Sequence, residues 1–518
     1  MSKVSRAAWC RFARDTRGNA AILFGLTIIP IILIVGVAVD YGRAITVRSA
    51  MSDAADAAAL AIGSWTDLAD TELEKKAQQF YQANYASSLS SDIKSDFKVN
   101  FVGDDIVVTA TASVPTTFLR LANLNSLDIG TTNTITTRQR NIELALVLDT
   151  TGSMANSGKM SAMKAAAKAM VDDLFGKQSV SDTLDISVVP FAAAVNVGKD
   201  NRDAAWLDTN AKSAVASEDF QGSANAFDLF RKLKAVRSSW DWQGCVRERA
   251  GAEYELTDAV PTTGVPDSLF APYFASDEPD TDDYYHNRGY SYTNSYIEDG
   301  DCGESRSWDR GPEVCQKYTG KYSSPKRTYD YYADGPNQNC PPRPITALSN
   351  SKNTVTNAID ALEPDGSTVI PAGLLWGWRV LSPEAPFTEG KAYDEKERVK
   401  AIVLLTDGQN DIDAPRNNHN RSYYNAFGFA ASGHLGSTNG YYAESELNSK
   451  TATVCNNIKA KGILIYTIGF RINDSTTQNL LKNCASKPDM YYNSPSNSQL
   501  AAIFSDIAQG LSELRIAQ

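Results

Sequence analysis

The chain has 518 residues, 42% of them hydrophobic, and a formal net charge of -11. That length is ample for two or three domains and a large core, and the acidic balance, without a basic stripe, argues against a nucleic-acid partner. Three histidines leave little from which to build a zinc site or a histidine relay. The cysteines, Cys10, Cys245, Cys302, Cys315, Cys340, Cys455 and Cys484, contain no C-x-x-C pair, so zinc-ribbon and thioredoxin-like readings fail.

Lys3, Arg6, Arg11, Arg14 and Arg17 precede residues 20–39, a run without a charge. At about 1.5 Å rise per residue such a helix spans a hydrocarbon core of roughly 30 Å. The basic residues, against Asp15 alone, assign residues 1–19 as a cytoplasmic tail by the positive-inside tendency. The far flank, with Asp40, Arg43, Arg48, Asp53 and Asp56, is nearly balanced, so the bulk of the chain is expected outside the cytoplasm. A cleaved signal peptide is the alternative. The run is longer than a usual signal core and no clean cleavage site follows, although the alanines of 54–61 keep that reading open. Pro30 is tolerable in a membrane helix. Residues 41–62 are alanine-rich and free of proline, which extends the helix past the bilayer to about 62.

The stretches Arg17-Gly-Asn-Ala-Ala-Ile-Leu-Phe, Val39-Asp-Tyr-Gly-Arg and Asp53-Ala-Ala-Asp-Ala-Ala-Ala-Leu-Ala resemble the TadE/TadG-like N-terminus of tight-adherence (Tad) pilus systems. The resemblance implies a pilin-like start, a long apolar helix leading into a small periplasmic α+β piece. Pilin-type processing would cut after a glycine such as Gly18 and expects glutamate five residues on. Leu23 stands there instead, so the anchor is read as permanent, a bacterial inner-membrane single pass.

Residues 65–139 read as a small α+β stalk or docking segment. Residues 71–88 carry helical periodicity with Leu73, Ala77, Phe80, Tyr81 and Tyr85 on one side. Two strands follow around a Gly-Asp-Asp turn, and a third, rich in threonine and isoleucine, is expected over 126–138.

From residue 140 to 518 strands alternate with helices. The apolar runs 142–148, 184–191, 399–405 and 463–470 read as buried strands. Helices fit 159–176, 352–362, 372–381, 448–461 and 498–514. Such alternation predicts an α/β fold, a doubly wound, mainly parallel sheet of Rossmann-like type with helices on both faces. Ligands in such sheets bind at strand carboxyl ends where the winding reverses.

That rule gives meaning to Asp149-Thr-Thr-Gly-Ser153, which by itself also fits a strand followed by a polar turn. Asp149, Thr151 and Ser153 alternate, so three hard oxygens turn toward one point, a set suited to a small divalent cation. Asp407 ends another buried strand in the same way, and Asp365-Gly-Ser-Thr presents Thr368 ahead of a helix. The order Asp-x-Thr-x-Ser, Thr, Asp is similar to the metal-ion-dependent adhesion site (MIDAS) of von Willebrand factor A (vWA) domains, with Thr151 in place of the first serine. The resemblance implies that Asp149, Thr151, Ser153, Thr368 and Asp407 hold Mg2+ (or Mn2+ or Ca2+), directly or through water. It further implies an open position that a partner protein's carboxylate fills.

Two insertions interrupt this domain, at about 198–344 and 410–446. The first contains Ser276-Asp-Glu-Pro-Asp-Thr-Asp-Asp-Tyr-Tyr, which lacks EF-hand spacing and reads as a solvated acidic loop. Its tyrosines suit contacts with other proteins. Either insertion is a candidate for the rim of the metal site. Asp172, Asp173, Asp411 and Asp413 read as solvated helix and loop acids. The cysteines beyond the anchor are even in number, as an oxidising compartment favours. Cys455 with Cys484 brackets the last long strand, Cys302 with Cys315 closes a short loop, and Cys245 with Cys340 remains.

The stretches from Trp242 to Val246 and from Leu374 to Pro383 also look like TadG-type proteins. Together the two resemblances imply a membrane-anchored, metal-dependent protein-binding scaffold in Tad/Flp pilus assembly or surface adhesion, not an enzyme. Its partners would be other pilus-assembly or envelope proteins, with oligomers possible through the helix. The rivals are an envelope adhesin unrelated to pili and a Mg2+-dependent hydrolase. The second would need a general base that the three site loops do not offer, since none holds a histidine.

Overall fold

The computed structural model describes residues 19–63, 70–86, 93–102, 105–136, 140–222, 224–280, 292–302, 311–328, 333–395, 397–413 and 417–516. The basic tail, the tip of the Gly-Asp-Asp turn and the tyrosines of 284–285 lie outside them. The chain divides into two compact units, Met1–Gln139 (with the last three residues, Ile516–Gln518) and Arg140–Arg515.

In the first unit α1 (Asn19–Gly63) is one continuous helix, its apolar part long enough to cross a membrane. Leu23, Phe24, Leu26, Ile34, Val35 and Val39 are exposed along it, whereas Val47, Met51, Ala54, Ala55, Ala58 and Ala59 are buried. The small alanines bring this half of α1 close to α2 (Asp70–Ala86) and to an antiparallel sheet of β1 (Ser95–Val102), β2 (Asp105–Pro115) and β3 (Ser126–Thr136) in that order. Leu73, Ala77, Tyr81 and Tyr85 of α2 face this core, and Tyr81 stacks on Phe97 with centroids 4.3 Å apart. Phe80, expected on the same side, is exposed: it falls one position off the i, i+4 stripe of the other four.

The second unit is built on a mixed sheet. Its parallel strands are β4 (Asn141–Asp149), β5 (Leu184–Phe191), β9 (Arg398–Thr406), β10 (Leu464–Phe470) and β11 (Tyr491–Ser494), in spatial order β11-β10-β9-β4-β5. Short antiparallel pieces β6 (Val195–Asn196), β7 (Cys245–Val246) and β8 (Thr346–Ser349) extend the β5 edge. Sequence patterning does not anticipate these, because two- to four-residue strands carry no alternation.

Strand β4 is apolar from Leu144 to Leu148 because both faces are covered, and the buried Glu143 before this run is paired with Arg398 and Lys400. Ala145 and Val147 face a core shared with α7 (Ile370–Arg379), α8 (Ala443–Ala460) and α9 (Ser475–Cys484). Ile142, Leu144, Leu146 and Leu148 face a second core formed with α3 (Lys159–Phe175), α6 (Lys352–Ala361) and α10 (Asn497–Ile516). From β4 the chain winds outward to β5 on one side. From β9 it winds to β10 and β11 on the other, so the winding reverses between β4 and β9.

The first insertion is ordered in large part and adds α4 (Ala226–Val236) and α5 (Gly311–Lys317). The expectation of a solvated acidic loop is corrected at its start: Asp277 and Glu278 are buried. Asp277 Oδ2 lies 2.7 Å from the buried Lys321 Nζ, which also lies 3.0 Å from Asp299. Burial raises the Asp277 carboxyl to about 7 against the pull of Lys321. A lysine with no sequence proximity supplies the counter-charge, so local composition could not reveal the burial. The second insertion packs on the first through Tyr273 to the Tyr424 carbonyl (2.9 Å), Asn420 to Glu278 (2.9 Å) and Tyr292 to His419 (2.7 Å). Disulfides join Cys245–Cys340, Cys302–Cys315 and Cys455–Cys484.

Candidate metal centre

Strands β4 and β9 are adjacent and parallel, so their carboxyl ends deliver Asp149 and the Thr406-Asp407 pair to one crevice at the winding reversal. Asp149 is fully buried there. Its Oδ1 accepts from the Thr151 amide at 2.8 Å, and its Oδ2 accepts from the Thr406 hydroxyl at 2.7 Å and the Asp407 amide at 3.4 Å. Burial, then the neighbouring Asp407 charge, push the Asp149 carboxyl up to about 6, while these donors hold it down.

Past Asp149 the chain leaves the sheet in an extended Thr151 and a short 3-10 turn, Gly152–Ala155, which bends the hydroxyls back over the acids. Thr151 Oγ1 and Ser153 Oγ are 3.0 Å apart, and Ser153 Oγ donates to Asp407 Oδ1 at 2.6 Å. Four of the five sequence-designated residues thus form one connected set of oxygens. The fifth, Thr368, lies on the facing loop. That loop is tied down by Gly152 N to Gly366 O (2.8 Å) and Asp365 N to Thr150 O (2.7 Å). Gly366 takes a positive φ of 79° and a Cβ there would stand 3.1 Å from the Asn339 carbonyl, so the close approach needs glycine. Among the described residues the Thr368 hydroxyl bonds none of the other four. The adjacent Ser367 Oγ is buried without a hydrogen-bond partner among them.

Lys159 is the residue that the sequence reading missed. From the first turn of α3 its Nζ sits 2.6 Å from Asp407 Oδ2, with only 16% of the Lys159 side chain exposed and none of that of Asp407. The centre therefore holds two buried carboxylates, two converging hydroxyls and one tethered cation. Its signal was faint, since a lysine opening an amphipathic helix reads as a solvated residue. Thr406 was missed too, though its position directly before Asp407 could have suggested it.

The donor set fits a hard divalent cation: oxygen only, part anionic, part hydroxyl, with Ser153 exposed at the surface. Among the described residues no group of three or more His, Cys, Asp and Glu stands in metal-holding geometry, so any cation here depends on the hydroxyls. Both insertions reach the periphery of this centre. Asn339 of the first packs on Gly366, and Asp411 of the second exchanges backbone hydrogen bonds with Thr368 at 2.7 and 2.8 Å. Asp411 and Asp413 are themselves exposed. Histidines are absent from the centre among the described residues: His419 bonds Tyr292 and His434 bonds Glu218, each joining the second insertion to the first. His286 lies outside the described residues.

Residues 18–63 match the family model of Flp pilus-assembly TadE/G-like proteins. The N-terminal segment is thus TadE/G-like, in line with the resemblance of its sequence. No curated protein sequence matches the chain. Among solved structures, it is similar to the vWF domain of the type V pili tip protein Mfa5 from Porphyromonas gingivalis, at 11% identity over 73% of this chain and 97% of that one, TM-score 0.33. It is also similar to the pilus adhesin SpaC from Lactobacillus rhamnosus GG, at 10% identity over 82% and 35%, TM-score 0.34. The pilus adhesin RrgA from Streptococcus pneumoniae gives 9% identity over 81% and 49%, TM-score 0.31. At these scores the likeness carries no inference about what this chain binds.

Proposed function

We propose that the chain is a membrane-anchored protein-binding scaffold of Tad/Flp pilus assembly or surface adhesion, whose contact surface depends on a divalent cation. In this reading residues 140–518 are a doubly wound vWA domain, α1 crosses the bacterial inner membrane with its N-terminus cytoplasmic, and the bulk of the chain is periplasmic. The observation that carries the reading is the convergence of Asp149, Thr151, Ser153 and Asp407 at the winding reversal, on a chain whose first helix is TadE/G-like.

Asp149, Thr151, Ser153, Thr368 and Asp407 would hold the cation, which supplies an electrophilic point of attachment for an acidic group of a partner protein. The chain's own residues set the terms. Thr406 and the Thr151 amide hold Asp149 in place, Ser153 links the two loops, and Lys159 neutralises Asp407 until a cation takes over that charge. The methyl group of Thr151 leaves its oxygen in the set and narrows the space beside it.

Deletion of the gene, with complementation by wild type or full-length Asp149→Ala, tests the functional half. Loss of pili on deletion, with no rescue by Asp149→Ala at normal protein level, is expected. Normal piliation in the deletion strain overturns the pilus assignment, and if adherence is then lost, an envelope adhesin unrelated to pili is favoured.

A further inference from the structure

We propose that the segment 118–124 is a second lipid contact of this chain, a rigid loop seated in the headgroup and upper acyl layer beside α1. The inference rests on the reading of α1 as a membrane-spanning helix and is independent of the metal centre.

The connection between β2 and β3 would ordinarily be polar, since turns between strands favour glycine, asparagine, aspartate and serine. Here it carries Phe118, Leu119, Leu121 and Leu124, with Leu121 74% exposed and Leu124 51% exposed. Single exposed leucines need no explanation, but several on one short loop do.

The loop is also locked. Its middle is a 3-10 turn, Leu119–Ala122, closed by Asn123 in the left-handed region (φ 65°) and by Leu124 N to Leu119 O at 3.1 Å. Its base is closed by Thr116 N to Asn125 O at 3.1 Å. It is fastened to α1 by one carboxylate: Asp40, only 3% exposed, accepts the amides of Thr117 (3.0 Å), Phe118 (2.9 Å) and Leu119 (2.8 Å). A charged acceptor serving three backbone donors is a strong, directional clamp.

Where the clamp sits decides the environment. Phe118 packs so closely on Gly36 that a Cβ there would stand 2.3 Å from Phe118 Cβ. Gly36 lies inside the uncharged run 20–39, one helical turn before Asp40. At about 1.5 Å per residue, Phe118 therefore reaches roughly 4.5 Å inside the end of that run. The helix residues at this level, Val35, Val37 and Val39, are themselves 56%, 43% and 52% exposed. Leu124 bonds back to Leu119, whose amide is held by Asp40, so the exposed leucines belong to the same clamped loop as Phe118. Arg120 in the loop and Arg43, three residues past Asp40 on α1, are exposed, with stems able to lie along apolar surface and guanidinium groups to meet lipid phosphates. Apolar residues flanked by arginines at this depth describe an interfacial anchor. A lipid surface is the occupant argued for, because the loop is continuous with the apolar exposed face of α1.

The test uses the full chain with Cys10→Ser, in which the remaining cysteines are disulfide-bonded and unreactive. An environment-sensitive fluorophore is attached at Leu121→Cys or Leu124→Cys, both exposed enough to tolerate it. Ile34→Cys on α1 (69% exposed) reports the anchor, and Val102→Cys (62% exposed), at the opposite end of the sheet, reports water. The proteins are reconstituted in phosphatidylcholine–phosphatidylglycerol vesicles with nitroxide lipids labelled shallow or deep. The proposal expects blue-shifted emission at 121 and 124, quenched more by the shallow nitroxide than by the deep one, and no quenching at 102. Water-like emission at 121 and 124 with quenching at 34 overturns the loop contact and leaves the anchor standing. Blue-shifted emission that no lipid nitroxide quenches also overturns it, because a protein then covers the loop. Absence of quenching at 34 removes the anchor reading and this inference with it.

Discussion

At the scale of single residues, Lys159 decides how the centre behaves without a cation. Both carboxylates are buried, and burial first, then the Asp407 charge, raise the Asp149 carboxyl. The Lys159 ammonium offsets the second acid at 2.6 Å. Unit charges 4 Å apart interact by about 4 kcal/mol at an effective dielectric of 20, so a divalent ion bound as proposed would have to displace a strong competitor. Lys159→Gln is expected to tighten Mg2+ binding by about tenfold, roughly 1.4 kcal/mol, and to lower the stability of the cation-free protein by about 1–3 kcal/mol as Asp407 loses its partner. Calorimetric titration and chemical denaturation with and without Mg2+ read both effects; unchanged affinity would mean that Lys159 does not compete. Asp149, Thr151, Ser153 and Asp407 were legible because each follows a run of buried residues that ends abruptly. Lys159 was not, because its role depends on an acid 248 residues away.

At the scale of elements, the long buried strands were legible to within a residue or two, because β4, β5, β9 and β10 are mostly apolar on both faces, with charges such as Glu143, Asp185 and Lys400 confined to their amino-terminal ends. The helix α7 shows what a pattern does not contain. Its Gly373 and Gly377 face the sheet so closely that a Cβ would stand 2.6 Å from Phe191 Cγ and 2.4 Å from Val147 Cγ2. Val147 is β-branched and stiff, so Gly377→Ala is expected to destabilise by about 1–3 kcal/mol through overpacking, against a helix-propensity gain of about 1 kcal/mol. A rise in denaturation midpoint on substitution would contradict that packing.

The insertions were illegible for a related reason: pairs such as Lys321 with Asp277 and Arg379 with Glu248 join distant residues and leave no local period. His419, in the second insertion where it meets Tyr292 of the first, gives a pH test. Burial lowers its pKa to about 4, so the folded state keeps it neutral while the unfolded chain titrates near 6.5. The unfolded state then binds more protons between those values, and stability is lost as pH falls from 6.5 to 4, by up to about 3 kcal/mol. Asp149 and Asp277, with raised values, act in the opposite sense. The difference between wild type and His419→Gln isolates the histidine. Parallel stability curves for the two proteins across that range would contradict it.

At the scale of the whole molecule, an N-terminal unit built on α1 and an α/β unit share one chain, and the boundary at residue 139 falls where the alternation of strand and helix begins. The order of strands was not written in any one segment. It follows the rule that winding reverses where the connections leaving two adjacent parallel strands run to opposite sides, and that reversal is what brings residues near 149 and 407 together. Thr368 follows from the same rule less completely: its loop is bonded to the Asp149 loop, while its hydroxyl stands apart from the other four. Whether these oxygens act as a cation site is most directly read by calorimetric titration of Mg2+ into the solubilised full chain and its Asp149→Ala variant. One saturable site is expected for the wild type and none for the variant; equal heats from the two proteins would contradict the metal centre.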